Sequence, residues 1–191
     1  MERTETSVVN RAREGDAEAF RELLEAYSPK LFRLAFRITG DEQTAEDAVQ
    51  EAFLRAYRSL GRFDARSQFG TWLHRIAVNA ALELVRKQQR HRSPRSHHQE
   101  EEQQPLPSPD PGPDRIALGL EVERAVRSAL GDLSPMERTA FVLRHFEGRS
   151  IAEICDQLGL GASAGKQAVF RAVKKLRRVL EPLVKRQEVR P

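Results

Sequence analysis

The amino-acid sequence predicts an all-α fold of two small helical domains joined by a flexible linker. Apolar residues recur three and four positions apart through every long apolar segment, which is the period of an amphipathic helix. No segment shows convincing alternation of apolar and polar residues, as a half-buried strand would require. Between the helical stretches, residues 94–115 turn over to Pro, Ser, His, Gln and Glu, with five prolines between Pro105 and Pro113, a composition that cannot bury a core. The expected divisions are therefore a domain over 1–93, a disordered linker over 94–115 and a second domain over 116–191.

In the first domain, Asp16 to Thr39 carries Ala19, Phe20, Leu23, Leu24, Leu31, Leu34, Ala35 and Ile38 in helical register. Ser28-Pro29 should split or kink that helix, because proline removes a backbone donor. After Gly40, the segment Asp41 to Leu60 places Ala45, Ala48, Val49, Ala52, Phe53, Ala56, Tyr57 and Leu60 on one stripe, with Asp47, Gln50, Glu51, Arg55 and Arg58 opposite. A polar passage from Gly61 to Gly70 leads into a third helix, Thr71 to about Arg90, with Trp72, Ile76, Ala80 and Leu84 inward and Arg86, Lys87, Arg90 and Arg92 at its basic end. Beyond the linker, helix resumes near Ile116, where Leu118, Val122, Ala125, Val126 and Ala129 share a face. Ser134-Pro135-Met136-Glu137 and Ser150-Ile151-Ala152-Glu153 are both Ser-x-x-Glu capping boxes, the first with Pro at the first helical position, so each starts a helix. The last helix spans about Ser163 to Leu183, with Val169, Val173, Leu176 and Leu180 as its seam.

With 31% charged and 6% aromatic side chains in 191 residues, there is room for compact helical cores but not for a large enzyme-type one. The net charge of +4 is unevenly spread: residues 1–93 carry 16 basic and 14 acidic side chains, 94–115 two and five, and 116–191 14 and nine. From Gly161 onward nine Lys and Arg are opposed only by Glu181 and Glu188, which predicts a local basic face. A single cysteine, Cys155, excludes an internal disulfide. Neither a signal sequence nor an apolar run of the roughly eighteen residues that a bilayer demands is seen, so the expectation is a cytoplasmic protein without direct membrane insertion. Neither a phosphate-cradling glycine loop nor a clustered acid, base and nucleophile appears, and no catalytic residue or cofactor is expected. His91, His97 and His98 lie in or beside the linker without an orderly set of partners, so no metal site is expected either. His74 and His145 read as helical and isolated, and Cys155 as a core residue.

Two constellations could carry function. A helix from Ser150 to Leu158, a turn at Gly159 and a second helix bearing Lys166, Gln167, Arg171, Lys174 and Lys175 have the layout of a helix-turn-helix, whose second helix enters the major groove. Its leading polar residues, Lys166 and Gln167, can reach base edges, while later cations such as Lys174 and Arg178 neutralise phosphates. A solvated basic face on an ordinary helical hairpin is the other reading. The second constellation runs from Arg62 to Trp72, where Phe63, Phe69 and Trp72 alternate with Arg66, Ser67 and Gln68. Rings that stack unpaired bases beside arginines that hold the backbone suit a single strand, each stacked base being worth about 1 to 3 kcal/mol. Phe69 and Trp72 also fall on the apolar stripe, so both are expected to be at least half core; the loop residues Arg66, Ser67 and Gln68 are the better contacts.

The order of these motifs makes a resemblance specific. Asp41 through Tyr57, with its Ala45-Glu46-Asp47-Ala48-Val49-Gln50-Glu51-Ala52-Phe53 centre, then Phe63, then Thr71-Trp72-Leu73-His74-Arg75-Ile76-Ala77-Val78-Asn79, resembles regions 2.1 to 2.4 of the extracytoplasmic-function (ECF, group 4) sigma factors of the sigma-70 family. Leu133 through Arg138, Phe141 through Ile154 and Leu158-Gly159 similarly resemble region 4, and nothing between resembles region 3 or, ahead of them, region 1.1. The resemblance implies a region 2 helical bundle over 1–93 and a region 4 helix-turn-helix over 116–191, together a factor that binds core RNA polymerase and directs promoter recognition and strand opening. It assigns Asp47, Gln50, Glu51, Leu54 and Arg55 to the clamp helices of the polymerase largest subunit; without it, those residues would read as a solvated face. It assigns Phe63, Arg66, Ser67, Gln68, Trp72, Arg75, Asn79, Arg86 and Lys87 to the minus-ten element, including the melted non-template strand. Arg149, Ser163, Lys166, Gln167, Arg171, Lys174 and Lys175 fall to duplex DNA at the minus-thirty-five element, with the flap of the second polymerase subunit as a further contact. An anti-sigma factor is the implied regulator.

One stretch departs from the family pattern. Gly165 stands where a buried Val is common and Ala168 where Arg commonly meets DNA, and glycine inside a helix costs close to 1 kcal/mol, so the final helix is expected to begin late or sit differently. Two other classes fit parts of the chain: a stand-alone helix-turn-helix repressor, which needs no aromatic and cationic strand-opening loop, and a polymerase adaptor, which needs no basic final helix.

Overall fold

The computed structural model describes residues 2–64, 68–91, 126 and 128–188, and every regular element among them is helical. Helix α1, Glu2–Arg13, lies ahead of the first periodic segment. It packs Val9 and Ala12, with Val8 beside them, onto the core, too few residues to make a long stripe; Tyr27 donates to Glu5, and Arg11 reaches Asp16 at 2.7 Å. Asp16 in turn caps α2, Ala17–Thr39, accepting from the backbone N–H groups of Glu18 and Ala19 at 2.9 and 3.1 Å.

Of the two arrangements expected at Pro29, two helices or one kinked helix, the chain forms one: α2 is continuous with Pro29 inside it. The Ser28 hydroxyl donates to the Leu24 carbonyl at 2.6 Å beside the proline, an internal bond of the kind that accommodates such an irregularity. Gly40 ends α2 in the left-handed conformation, φ 77°, its N–H returning to the Phe36 carbonyl at 2.8 Å. Asp41 then caps α3, Glu42–Ser59, through the Thr44 N–H at 2.7 Å. The inward row of α3 is Ala45, Ala48, Ala52 and Ala56, all 0% exposed, so α2 and α4 approach its backbone closely.

A short 3₁₀ turn, Leu60–Arg62, precedes α4, Phe69–His91, which starts two residues earlier than its periodicity suggests. Phe69 is buried against Tyr27, ring centroids 5.5 Å apart, and Gly70 passes beneath that ring so closely that a Cβ would lie 2.9 Å from it. The buried line of α4 is Phe69, Leu73, Ala77, Ala80 and Ala81, while Trp72, Ile76 and Leu84 are half-buried at its flank. Steps of four overshoot a 3.6-residue turn, so a row chosen every fourth residue drifts around the helix.

In the second domain residues 128–131 are helical and bring Ala129 and Leu133 against the closing helix. Both capping boxes form as expected: Ser134 opens α5, Pro135–His145, and Ser150 opens α6, Ile151–Leu158. Gly159, φ 63°, turns the chain into α7, Ala162–Glu188, whose buried line is Gly165, Ala168, Ala172 and Leu176. The linker, residues 116–125 of the helix expected to resume near Ile116, and the loop residues Arg66 and Ser67 lie outside the described residues, while Val126 and Ala129 of that helix are helical.

The two domains share one apolar cluster, in which Ala140, Val142, Leu143 and Ile154 continue the core of α1–α4. Replacing the first box residue, Ser134→Ala, leaves the Glu137 N–H without its cap; urea unfolding should show a loss of about 0.5 to 2 kcal/mol with an unchanged slope.

Candidate nucleic-acid interface

Three rings close the base of the second constellation, the stretch from Arg62 to Trp72. Phe63, Phe69 and Trp72 lie with centroids 5.0 to 5.8 Å apart. Phe63 and Phe69 are buried, so Trp72, half-buried, is the ring of the three that partly reaches the surface. Along α4 from it, Arg75, Arg86 and Lys87 are exposed and Asn79 is half-buried, and Gln68 is exposed just ahead of the helix.

On the other side of α4 an open groove against α3 gathers Asp47, Gln50, Glu51, Leu54 and Arg55 with Glu83, Arg86 and Lys87. The periodicity had not drawn in Glu83. Arg55 donates to Glu51 and to Glu83, 2.7 Å each, and these two carboxylates hold its guanidinium well above its ordinary pKa. Leu54, 45% exposed, supplies an apolar centre to this charged groove.

The helix-turn-helix presents a clear outer face. Ser163, Lys166, Gln167, Arg171 and Lys174 are all exposed on α7, opposite its buried line, and Arg171 donates to Gln167 at 3.1 Å. Phe170, passed over in the sequence reading, is 66% exposed among them. Lys175 stands at the flank, tied to Glu137 at 2.7 Å and to the Asp132 carbonyl at 3.3 Å. Burial would raise the Glu137 carboxyl, but Lys175 and the Ser134 N–H outweigh it and hold the group below its usual value. Arg149 is half-buried and 3.4 Å from Glu153.

Despite Gly165, α7 begins at Ala162 rather than late. A Cβ at Gly165 would fall 2.2 Å from Cys155 Sγ, so the thiol fills the space that a larger side chain would take. Ala168 is turned inward, 8% exposed, and is a packing residue rather than part of the outer face.

His74 is not isolated. It is largely buried where α4 meets the α5–α6 corner, with Nε2 3.3 Å from Glu147 Oε2. Desolvation lowers its pKa; Glu147 opposes that shift and Arg149 adds to it, with the neutral imidazole favoured on balance.

A mixed helical bundle with an aromatic and cationic helix, joined to a helix-turn-helix with a basic outer face, defines a DNA-binding transcription protein. The chain matches the family Sigma-70 region 2 over residues 23–91 and Sigma-70, region 4 over residues 123–176. It is 34% identical to the RNA polymerase sigma-H factor of Pseudomonas aeruginosa over 183 residues, 93% of this chain and 94% of that protein. To the ECF RNA polymerase sigma-E factor of Escherichia coli K12 it is 33% identical over 190 residues, 96% of this chain and 97% of that one. Among solved structures it is similar to CnrH in complex with the cytosolic domain of CnrY, with 28% identity, a TM-score of 0.60, and coverage of 92% of this chain and 96% of that one. In fold alone it matches the sigma factor RpoE in complex with the anti-sigma factor NepR from Bartonella quintana, with 24% identity, a TM-score of 0.64, and coverage of 86% and 98%. The chain belongs to the extracytoplasmic-function class of the sigma-70 family of RNA polymerase sigma factors.

Two outcomes follow from this geometry. Gly165→Val should cost about 1 to 3 kcal/mol by overpacking against Cys155, and Cys155→Ala in the same chain should recover at least about 0.5 kcal/mol; purely additive losses would mean that the thiol is not the obstacle. Because the folded chain favours neutral His74, the stability that this site contributes is present above the ordinary value of 6.5 and is lost as the pH falls below it. Urea midpoints compared at about pH 7.5 and pH 5.5 should differ less in His74→Gln than in the parent chain.

Proposed function

We propose that this ECF sigma factor divides its work between region 2 over 1–93 and region 4 over 116–191, joined by 94–115. The α3 groove of Asp47, Gln50, Glu51, Leu54 and Arg55 receives the clamp helices of core RNA polymerase. Trp72, Arg75, Asn79, Arg86 and Lys87 on α4, with the loop through Arg66, Ser67 and Gln68, engage the minus-ten element and its melted non-template strand. Phe63 contributes as the buried support of Trp72. Ser163, Lys166, Gln167, Arg171 and Lys174 read and grip the minus-thirty-five duplex, while Lys175 and Arg149 brace the motif. Phe170 adds an apolar tip suited to a thymine methyl group.

The observation that carries this reading is the outward face of α7, where base-reading and phosphate-binding side chains line up opposite a buried row in a helix-turn-helix. Strand opening on this account is a shift of population, with the melted promoter bound better than the duplex, and needs no bond chemistry or cofactor. The work is cytoplasmic, where polymerase and promoter are. A protein partner that holds the factor inactive, an anti-sigma factor, is part of the proposal; CnrH was solved with the cytosolic domain of another protein bound. A stand-alone repressor would leave the α3 groove and the ring-bearing helix without employment.

Run-off transcription with purified core polymerase on pooled promoter fragments tests the whole. Starts that depend on the protein and share two spaced elements are expected; salt-sensitive duplex binding with no such starts would favour the repressor. Within region 4, Gln167→Ala should cost about 1 to 3 kcal/mol at one base position and relax specificity there, whereas Lys174→Ala should weaken all sequences alike and reduce the salt slope by about 1.

A further inference from the structure

Phe63 and Phe69 stand at the two ends of the stretch between the 3₁₀ turn and α4, and their rings meet edge to face at 5.8 Å. Each end is also held by another element. Helix α1 lies against the turn Leu60–Arg62 that delivers Phe63. At the other end the Tyr27 ring, from the middle of α2, packs edge to face on Phe69 with centroids 5.5 Å apart. It also lies over Gly70, where a Cβ would be 2.9 Å from Tyr27 Cε1 and 3.0 Å from its hydroxyl oxygen.

The Tyr27 hydroxyl donates to the Glu5 carboxylate of α1, 22 positions earlier in the chain. Burial first, and then the carboxylate, raise its pKa above the ordinary value of 10, so the hydroxyl stays a donor. A hydrogen bond to a charged acceptor is stronger than one between neutral groups. This one ties the ring that seats Phe69 and Gly70 to the helix that lies on Leu60–Arg62. One helix therefore braces both ends of the stretch that closes on Trp72, and a phenylalanine in place of Tyr27 would fill the same space without making that tie.

We propose that Tyr27 is a positioning residue for strand opening: bonded to Glu5, it lets α1 hold the Phe63, Phe69 and Trp72 rings in the arrangement that captures an unstacked base. The proposal rests on the assignment of Trp72 to the minus-ten element, and it gives α1, which precedes the residues matched to region 2, a part in that task. The mechanism is preorganisation. A ring already held where the base must stack loses less conformational freedom when the strand opens, and the melted state is favoured by that difference.

Trp72 is the chain's one tryptophan, so fluorescence reports on the cluster directly. In the full chain, acrylamide quenching should rise in Tyr27→Phe and in Glu5→Ala, and stay near the parental value in Glu5→Gln, whose amide oxygen still accepts from the hydroxyl. With core polymerase, 2-aminopurine placed in the minus-ten element of a promoter from the run-off pool should brighten about three- to tenfold more slowly with Tyr27→Phe and Glu5→Ala, the effect of losing one such bond. On the same promoter pre-melted over that element, at saturating factor, parent and variants should initiate alike, which a chain damaged as a whole would not do. Parental helicity by circular dichroism identifies variants that fold, and Glu5→Ala serves where Tyr27→Phe does not. Unchanged quenching, raised quenching with an unchanged opening rate, an equal deficit on the pre-melted template, or Glu5→Gln no better than Glu5→Ala overturns the proposal. A parent chain that yields no starts defeats the sigma reading instead, since the quenching is read without promoter or polymerase.

Discussion

The close packing of α3 is the constraint on which the first domain depends. Four alanines along its inner row are wholly buried, and nothing larger would let α2 and α4 lie against its backbone together. Packing of this kind gains little per side chain, since alanine buries little area, but it fixes distances: with α3 and α4 drawn together, Arg55 of one helix spans to Glu83 of the other. The charged groove is thus a consequence of small residues beneath it. Both outward faces of the bundle, the groove and the ring-bearing side of α4, inherit their geometry from that row.

Two glycines show the same economy at larger scale. Gly40 and Gly165 each leave space that a side chain from another element occupies, Arg138 in one case and Cys155 in the other. Gly40 has a local reason as well, its positive φ, whereas Gly165 is an ordinary helical residue whose intrinsic cost of close to 1 kcal/mol is accepted for the fit. Arg138 is the more demanding of the two guests. Burial pulls its pKa down to about 10, and its hydrogen bond goes to a carbonyl at a helix C-terminus, where the aligned peptide dipoles supply part of the negative charge that a carboxylate would.

What the sequence made legible was local. Capping boxes at Ser134 and Ser150, the Gly40 and Gly159 stops, and the alanine row of α3 are each decided within one or two turns, and each forms as its residues dictate. Helix α1 escaped because Val8, Val9 and Ala12, which pack it onto the core, span too short a run to make a stripe. Pro29 left open whether one helix or two would form; the helix continues past it, with Ser28 bonded back to the preceding turn. The exposed residues of α7 could be listed by their spacing, but the withdrawal of Lys175 toward Glu137 could not, since its partner lies 38 positions away. His74 looked isolated for the same reason: Glu147 is brought to it by the meeting of two domains, and no periodicity within either helix records that meeting.

At the seam between the domains, Ala140, Val142, Leu143 and Ile154 continue the buried apolar core of the first domain, and around them Arg37 pairs with Glu147 and Arg75 with Asp156 at partly exposed positions. Partly exposed pairs contribute roughly 0 to 1 kcal/mol each, and they cost little to separate because water replaces the partner. The pairs therefore fix how the two domains are oriented, while the buried apolar residues carry the larger share of what holds them together.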